Sequence, residues 1–145
     1  KRILLSGAYG QVGQELFMGL AAKYGPKTSS APMSDSSTLT RGQASLIVDI
    51  NHKDHLFDVL KKYEVTDFYS LAALLSAKGE VYPLYTQQMN MGSLFNSLEA
   101  ARLGLVKRVF WPSSIAAFGM NTPKRSPQHT VQEPDSAYGI SKKSG

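Results

Sequence analysis

The sequence has 145 residues, of which 42% are hydrophobic, and this is about the length of one domain with a buried core. The absence of cysteine excludes a disulfide framework and a thiolate metal site, and it fits a reducing compartment. The apolar runs are too short to span a bilayer, and the formal charge of +5 comes from scattered dibasic pairs rather than a basic stripe with aromatic residues. We therefore expect a soluble, globular protein of the cytoplasm, or of the mitochondrial matrix in a eukaryote, that binds neither membranes nor nucleic acid.

The chain opens with a glycine-rich stretch between a strand pattern and a helix pattern. An apolar run at residues 3 to 5 is followed by Gly7, Gly10 and Gly13 and then by the helical pattern of residues 14 to 24. The first glycine would allow a tight turn, the second would let a pyrophosphate approach the backbone, and the third would let the helix lie close to the strand. This order predicts a dinucleotide site, and the alternative is a glycine-rich turn without a ligand.

Residues 27 to 42 are the least readable part of the chain. A second parallel strand ending in an acidic residue is expected here, and Asp35 lies 22 residues after Gly13, close to the usual separation. Because the segment contains Pro32 and few residues that would fill a core, a surface loop remains an alternative. An aspartate on the adenosine ribose would repel a 2′-phosphate, so Asp35 favours NAD over NADP.

The rest of the chain alternates short apolar runs with amphipathic helical patterns. We predict strands over residues 44–50, 66–73 and 106–111, helices over 52–63 and 83–104, a proline-punctuated loop, and a last helix from about residue 135. This alternation predicts an α/β fold with a doubly wound parallel sheet covered on both faces, which is a Rossmann fold.

Two expectations concern the surfaces of these helices. Asn51 followed by Asp54 resembles a capping box for the helix over 52–63, and His52 and His55 in its first turn lack companion ligands. We therefore predict solvated histidines and no metal site. The helix over 83–104 carries an apolar stripe that is expected to belong to the core: Leu84, Met91, Leu94, Phe95 and Leu98.

The candidate chemistry lies near the end of the chain. Tyr138 and Lys142 are four residues apart on the last predicted helix and therefore share a face. A nearby ammonium favours the phenolate form of a tyrosine, which makes Tyr138 a candidate general base. Such pairs also occur on ordinary helix surfaces. The pair becomes a candidate for catalysis because Ser114 is also present. Ser114 follows the strand over 106–111, at the carboxyl end where doubly wound sheets bind ligands.

Several motifs together resemble the extended branch of the short-chain dehydrogenase/reductase superfamily. They are Gly7-x-x-Gly10-x-x-Gly13, Leu71-Ala72-Ala73, Asn90 in the long helix, Ser114 five residues before Gly119, and Tyr138-x-x-x-Lys142. Within that superfamily, residues 71–80, 110–119 and 138–142 resemble the short-chain type of L-threonine 3-dehydrogenase. The run Leu-Leu-Ser-Ala-x-Gly-Glu at residues 74–80 is the most discriminating part.

This resemblance implies NAD-dependent oxidation of the small molecule L-threonine to 2-amino-3-oxobutanoate by hydride transfer. Tyr138 would remove the hydroxyl proton, and Ser114 would hold the same oxygen. Lys142 would bind the nicotinamide ribose and bias Tyr138 towards phenolate. Asn90 would support the local helix geometry or a proton path, and Ser76 would contact the amino acid.

The same resemblance implies a set of residues that line the dinucleotide and a homodimer formed through helices that include the one with Tyr138. Besides the three glycines, Tyr138 and Lys142, the cofactor-binding set comprises Gln11, Val12, Asp35, Asp49, Ile50, Leu71, Ala72, Ala73 and Leu74.

The sequence also departs from the family pattern. Ser6 replaces the usual threonine, Ser70 replaces a common histidine, and the chain stops just after the last helix begins. We therefore expect residues 1–145 to be one NAD-binding Rossmann domain, truncated before the substrate-binding part and by itself a poor catalyst. Two alternatives remain, a sugar-nucleotide epimerase or dehydratase of the same superfamily and a non-catalytic NAD-binding protein.

Overall fold

A computed structural model of the protein describes residues 1–24, the backbone of residues 28–31, and residues 46–145. The described strands are β1 (Ile3–Ser6), β2 (Thr28–Ala31), β3 (Asp67–Ser70) and β4 (Arg108–Phe110). The described helices are α1 (Gln11–Tyr24), α2 (Lys53–Lys62), α3 (Ser76–Val81), α4 (Pro83–Arg102) and α5 (Ala137–Ser144), with a short 3₁₀ helix at Ile115–Ala117 between β4 and α5.

The four strands form one parallel sheet in the order β2-β1-β3-β4. In its register, Ile3 lies opposite Thr28 on one side and Asp67 on the other, and Asp67 lies opposite Arg108. The chain moves from β1 outward to β2 and then returns to the other side of β1 for β3, which is the reversal typical of doubly wound sheets. The predicted α/β Rossmann fold is confirmed.

The uncertain second strand is present over Thr28–Ala31, so the strand alternative is confirmed for these four residues. It lies at the edge of the sheet, where a weakly apolar strand is tolerated because only one side has to pair. Pro32 and Asp35 lie outside the described residues.

The chain divides into two compact units. The first comprises Lys1–Ala72 with Ser93–Trp111, and it contains the sheet and the main hydrophobic core. In that core Leu4 and Phe68 from adjacent strands, and Leu56 and Leu60 from α2, have no exposed surface. The second unit comprises Ala73–Gly92 with Pro112–Gly145, and it contains α3, the first half of α4, the 3₁₀ helix and α5.

The strand predicted over residues 44–50 is wrong for its described part. Residues 46–49 pair with no strand, and residues 44 and 45 lie outside the described chain. Val48 and Ile50 are buried, so the apolar run did indicate the core. No sheet position was left beside β1, however, because β2 and β3 occupy both of its sides. The segment instead turns towards α2 as Asp49 Oδ1 accepts the N–H of Asn51 at 2.9 Å.

The helix predicted over 52–63 is present as α2, but the predicted capping box is wrong. The N-cap is His52, whose Nδ1 accepts the N–H of His55 at 3.3 Å. Asn51 cannot take this position because its backbone belongs to the preceding turn closed by Asp49. Both histidines are exposed, and His52 has a structural role at the helix start.

The helix predicted over 83–104 is present as α4, but most of its predicted core stripe is wrong. Leu84, Phe95 and Leu98 are 81%, 60% and 50% exposed, whereas Leu94 is buried. The buried face is instead small and polar, and it comprises Thr86, Asn90, Ser93, Ser97 and Ala100. Small side chains allow close approach to a helix, so the inward face is selected by size and hydrogen bonding rather than by hydrophobicity.

Helix α3 was not predicted. It has only six residues, Leu75 at its N-cap makes no side-chain hydrogen bond, and its buried position is Gly79. A helix without a cap signal and with an internal glycine has no clear sequence pattern. The other predicted elements are present, although β3 and β4 are shorter than the apolar runs that contain them.

Candidate active site

The glycine turn between β1 and α1 is built for close backbone approach. Gly7 has a φ of +72°, and a Cβ atom there would lie 2.8 Å from the backbone nitrogen of Ala72. A Cβ at Gly13 would lie 2.1 Å from the carbonyl oxygen of Gly7. A side chain at Gly7 would collide with the segment after β3, and one at Gly13 would force α1 away from the turn, so both glycines are required by the geometry.

This turn fits a dinucleotide. The N–H of Gly10 donates to Gly7 O at 3.0 Å, and α1 begins at the next residue, Gln11. The first N–H groups of a helix have no intrahelical acceptor, and together with the helix dipole they bind anionic groups. Gln11 and Val12, the first two residues of the helix, are exposed, whereas the N–H of Gly10 is already bonded within the turn.

The other predicted cofactor residues differ in how far they are exposed and in which unit they belong to. Leu71 N–H donates to Ser6 O at 3.3 Å and Ala72 N–H to Ser6 Oγ at 3.4 Å, which ties this segment to the end of β1. Asp49 is exposed, whereas Ile50 is 1% exposed and belongs to the hydrophobic core. Asp35 lies outside the described residues. Ala73 and Leu74 are half-buried in the second unit.

Helix α5 holds the predicted tyrosine and lysine together. Tyr138 is half-buried, Lys142 is 2% exposed, and Lys142 Nζ lies 5.7 Å from the centre of the Tyr138 ring. Lys142 Nζ also donates to Pro112 O at 3.0 Å. Burial lowers the pKa of Lys142 to about 8 because the charged form loses its water. The spacing therefore brings a buried amine next to the phenol.

Ser114 lies in a segment that α5 contacts directly. It is half-buried and caps the 3₁₀ helix, since its Oγ accepts the N–H of Ala116 at 3.2 Å. A Cβ at Gly139 would lie 2.1 Å from Ala116 O and 2.8 Å from Pro134 Cβ. The glycine next to Tyr138 thus lets α5 lie against the residues that follow Ser114. Sequence analysis missed Gly139, although a glycine inside a helical pattern is a signal of close approach.

Asn90 connects two segments of the second unit. Its Nδ2 donates to Leu74 O and to Ser141 Oγ, both at 3.1 Å, and its Oδ1 accepts the N–H of Leu74 at 2.9 Å. Ser141 Oγ in turn donates to Tyr138 O at 2.7 Å. Through these bonds Asn90 joins α4 to the segment at Leu74 and to α5. Ser76, the predicted substrate contact, is exposed at the first position of α3.

The chain belongs to the NAD dependent epimerase/dehydratase family, whose model matches residues 3–145. The superfamily inferred from the motifs and the predicted cofactor, NAD, are therefore confirmed. Among the described residues, no helix has both the length and the apolar character needed to cross a membrane, and no group of three or more metal-ligating side chains occurs there.

Similar proteins include an uncharacterized epimerase/dehydratase of Staphylococcus epidermidis, which is 39% identical over the whole chain. A GalE-like L-threonine dehydrogenase from Cupriavidus necator in its holo form is 41% identical over 97% of the chain, with a TM-score of 0.92. An L-threonine dehydrogenase from Clostridium difficile is 40% identical over the whole chain, also with a TM-score of 0.92. The chain spans 46% of the length of each of these proteins.

Proposed function

We propose that the protein oxidises the side-chain hydroxyl of L-threonine to give 2-amino-3-oxobutanoate. The observation that carries this proposal is the Tyr138–Lys142 pair on α5, in which the lysine nitrogen lies 5.7 Å from the centre of the phenol ring. Two solved structures that are 40 and 41% identical to the chain are L-threonine dehydrogenases, and this similarity supports the substrate.

Each side chain of the candidate site has a separate role in this reaction. Tyr138 accepts the proton of the substrate hydroxyl, and Ser114 donates a hydrogen bond to the same oxygen. Lys142 stabilises the phenolate through its positive charge, which is more effective in a buried site than in water. Ser76 contacts the amino acid. NAD, when bound, supplies the hydride acceptor.

The first unit carries the dinucleotide part of the proposal. The exposed start of α1, with Gly10, Gln11 and Val12, binds the pyrophosphate, and Asp35 binds the adenosine ribose. Leu71 and Ala72 line the cofactor, as does the exposed Asp49. Residues 1–145 then form the NAD-binding domain of the protein.

The test is NADH formation by the full-length protein supplied with NAD and L-threonine. Tyr138→Phe should lower kcat by about 100- to 10,000-fold, the range typical of a lost general base, while NAD binding is retained. Tyr82→Phe is a matched control, because Tyr82 is 66% exposed and lies outside the proposed site. It should keep wild-type activity.

Other outcomes would replace this proposal. A protein that binds NAD, is silent with L-threonine and interconverts sugar nucleotides would be an epimerase or dehydratase. If the protein showed no turnover and Tyr138→Phe left its function unchanged, the non-catalytic NAD-binding interpretation would be favoured.

A homodimer is part of the proposal. Phe95 and Leu98 are 60% and 50% exposed on the part of α4 that belongs to the first unit. In a two-fold symmetric dimer the same patch of both copies meets itself, so one apolar face suffices to form the interface.

A further inference from the structure

The residue before Tyr138 is held by side chains from two other helices. Ala137 is the first residue of α5, and its N–H donates to Glu80 Oε1 at 2.7 Å. Its carbonyl oxygen accepts a hydrogen bond from Gln87 Nε2 at 2.6 Å. Both polar backbone groups of Ala137 are therefore bonded, one by α3 and the other by α4.

The Glu80 contact has a clear electrostatic reason. The N-cap of α5 is Ser136, whose Oγ accepts the N–H of Gly139 at 3.0 Å, and this leaves the N–H of Ala137 for a different acceptor. A carboxylate at this end of a helix accepts a charge-assisted hydrogen bond and interacts favourably with the helix dipole. Glu80 supplies both interactions.

The same glutamate connects α5 to the candidate substrate segment. Ser76 and Glu80 are four residues apart on α3 and therefore lie one helical turn apart on the same face. The short helix is held against α4 at Gly79, where a Cβ would lie 3.2 Å from the methyl group of Thr86. Ser76 and the start of α5 are thus connected through one short helix.

We propose that Glu80 is a positioning residue that sets the orientation of Tyr138 by holding the Ala137 peptide, with Gln87 as the second contact. The inference rests on the proposed function, since Tyr138 is the base in that reaction. It also gives the last residue of the discriminating run at residues 74–80 a physical role. In this role Glu80 acts through the backbone of α5, at the N–H of Ala137.

The experiment compares Glu80→Ala and Glu80→Gln in the full-length protein. Glu80→Ala should lower kcat about 10- to 100-fold, because a displacement of about 1 Å in a reacting group can cost 100-fold. The KM for NAD should stay within about two-fold, since the glycine turn is not altered. Glu80→Gln keeps an acceptor oxygen and should recover most of the lost kcat. Glu99→Ala is the matched control, because it removes a carboxylate whose partners, Arg102 and Lys53, both belong to the first unit.

Hydrogen exchange provides a second readout that does not need the substrate. Amide exchange across residues 137–141 should become faster in Glu80→Ala than in wild type and stay unchanged in Glu99→Ala. Unchanged exchange, or faster exchange with wild-type kcat, would overturn the positioning role. If wild type is silent with L-threonine, the proposed function fails, and exchange alone then decides whether Glu80 holds α5.

Discussion

At the scale of single residues, the most unusual group is the buried amine of Lys142. It is 2% exposed, and burial lowers its pKa from 10.5 to about 8. Its ammonium group donates to Pro112 O at 3.0 Å inside the protein instead of to bulk water. A buried cation that costs stability is typical of functional sites, where charge is kept for chemistry rather than for folding.

This pKa predicts how stability depends on pH. Between about pH 8 and 10.5 the unfolded chain still binds the lysine proton while the folded chain has lost it, so the free energy of unfolding rises with pH over this range. Lys142→Met removes the effect. The stability advantage of Lys142→Met over wild type should therefore shrink, by on the order of 3 kcal/mol, as the pH rises through this range.

Urea unfolding of both full-length proteins across these pH values measures the difference. Lys143→Met is the control for the loss of one lysine from the same helix, because Lys143 is exposed. A pH-independent difference for Lys142→Met would show that the amine is not desolvated in the folded state.

At the scale of elements, the contact between α5 and the 3₁₀ helix determines where Tyr138 lies relative to the segment that follows Ser114. The contact is backbone to backbone, since Gly139 faces Ala116 O. Such an approach leaves no space for a methyl group, and a protein interior of native density cannot absorb one without moving an element.

Gly139→Ala should therefore act on both stability and activity. The new Cβ would lie 2.1 Å from Ala116 O, so α5 or the 3₁₀ helix must shift. We expect a loss of about 1–3 kcal/mol in the free energy of unfolding, as for other overpacked sites, and at least a roughly 10-fold lower kcat because Tyr138 moves with the helix.

Gly19→Ala is a matched control for this prediction. Gly19 lies inside α1, and a Cβ atom there would have nothing within 4 Å, so alanine should stabilise the protein by about 0.5–1 kcal/mol. Wild-type kcat and stability in Gly139→Ala would contradict the close contact.

At the scale of the whole molecule, the exposed apolar residues of α4 form the surface at which we propose that two copies of the chain associate. Phe95 and Leu98 are 60% and 50% exposed, and they are adjacent because they are three residues apart on a helix. Exposed large side chains in a row on one helix are a feature of association surfaces.

The double change Phe95→Ser and Leu98→Ser should weaken the proposed homodimer. Each buried aromatic or leucine side chain contributes roughly 1.5–3 kcal/mol, and both copies lose two of them. We expect sedimentation equilibrium to show a dissociation constant raised at least about 10-fold. Met120→Ser, at a loop position that is 92% exposed, should leave association unchanged. A monomeric wild type, or an unaffected dimer in the double variant, would contradict the interface.

The local patterns predicted much of this protein from the sequence. The glycine spacing predicted the turn from β1 to α1, and Pro83 predicted the start of α4, because backbone freedom and proline geometry act within a few residues. The four-residue spacing of Tyr138 and Lys142 placed both on one face of α5. Family motifs then identified the superfamily and NAD.

Only the tertiary structure decided which helix faces are buried and which residues distant in the sequence form hydrogen bonds with each other. Hydrophobicity alone assigned Leu84, Phe95 and Leu98 to the core, but the serines and Asn90 of α4 face inward because small or hydrogen-bonded side chains permit close contact. Likewise, Val48 and Ile50 are buried although residues 46–49 form no strand, and both sides of β1 are already paired with other strands. The contact from Glu80 to Ala137 joins residues 57 positions apart. Local propensity determines helices and turns, whereas burial and long-range hydrogen bonds depend on which segments meet in the folded chain.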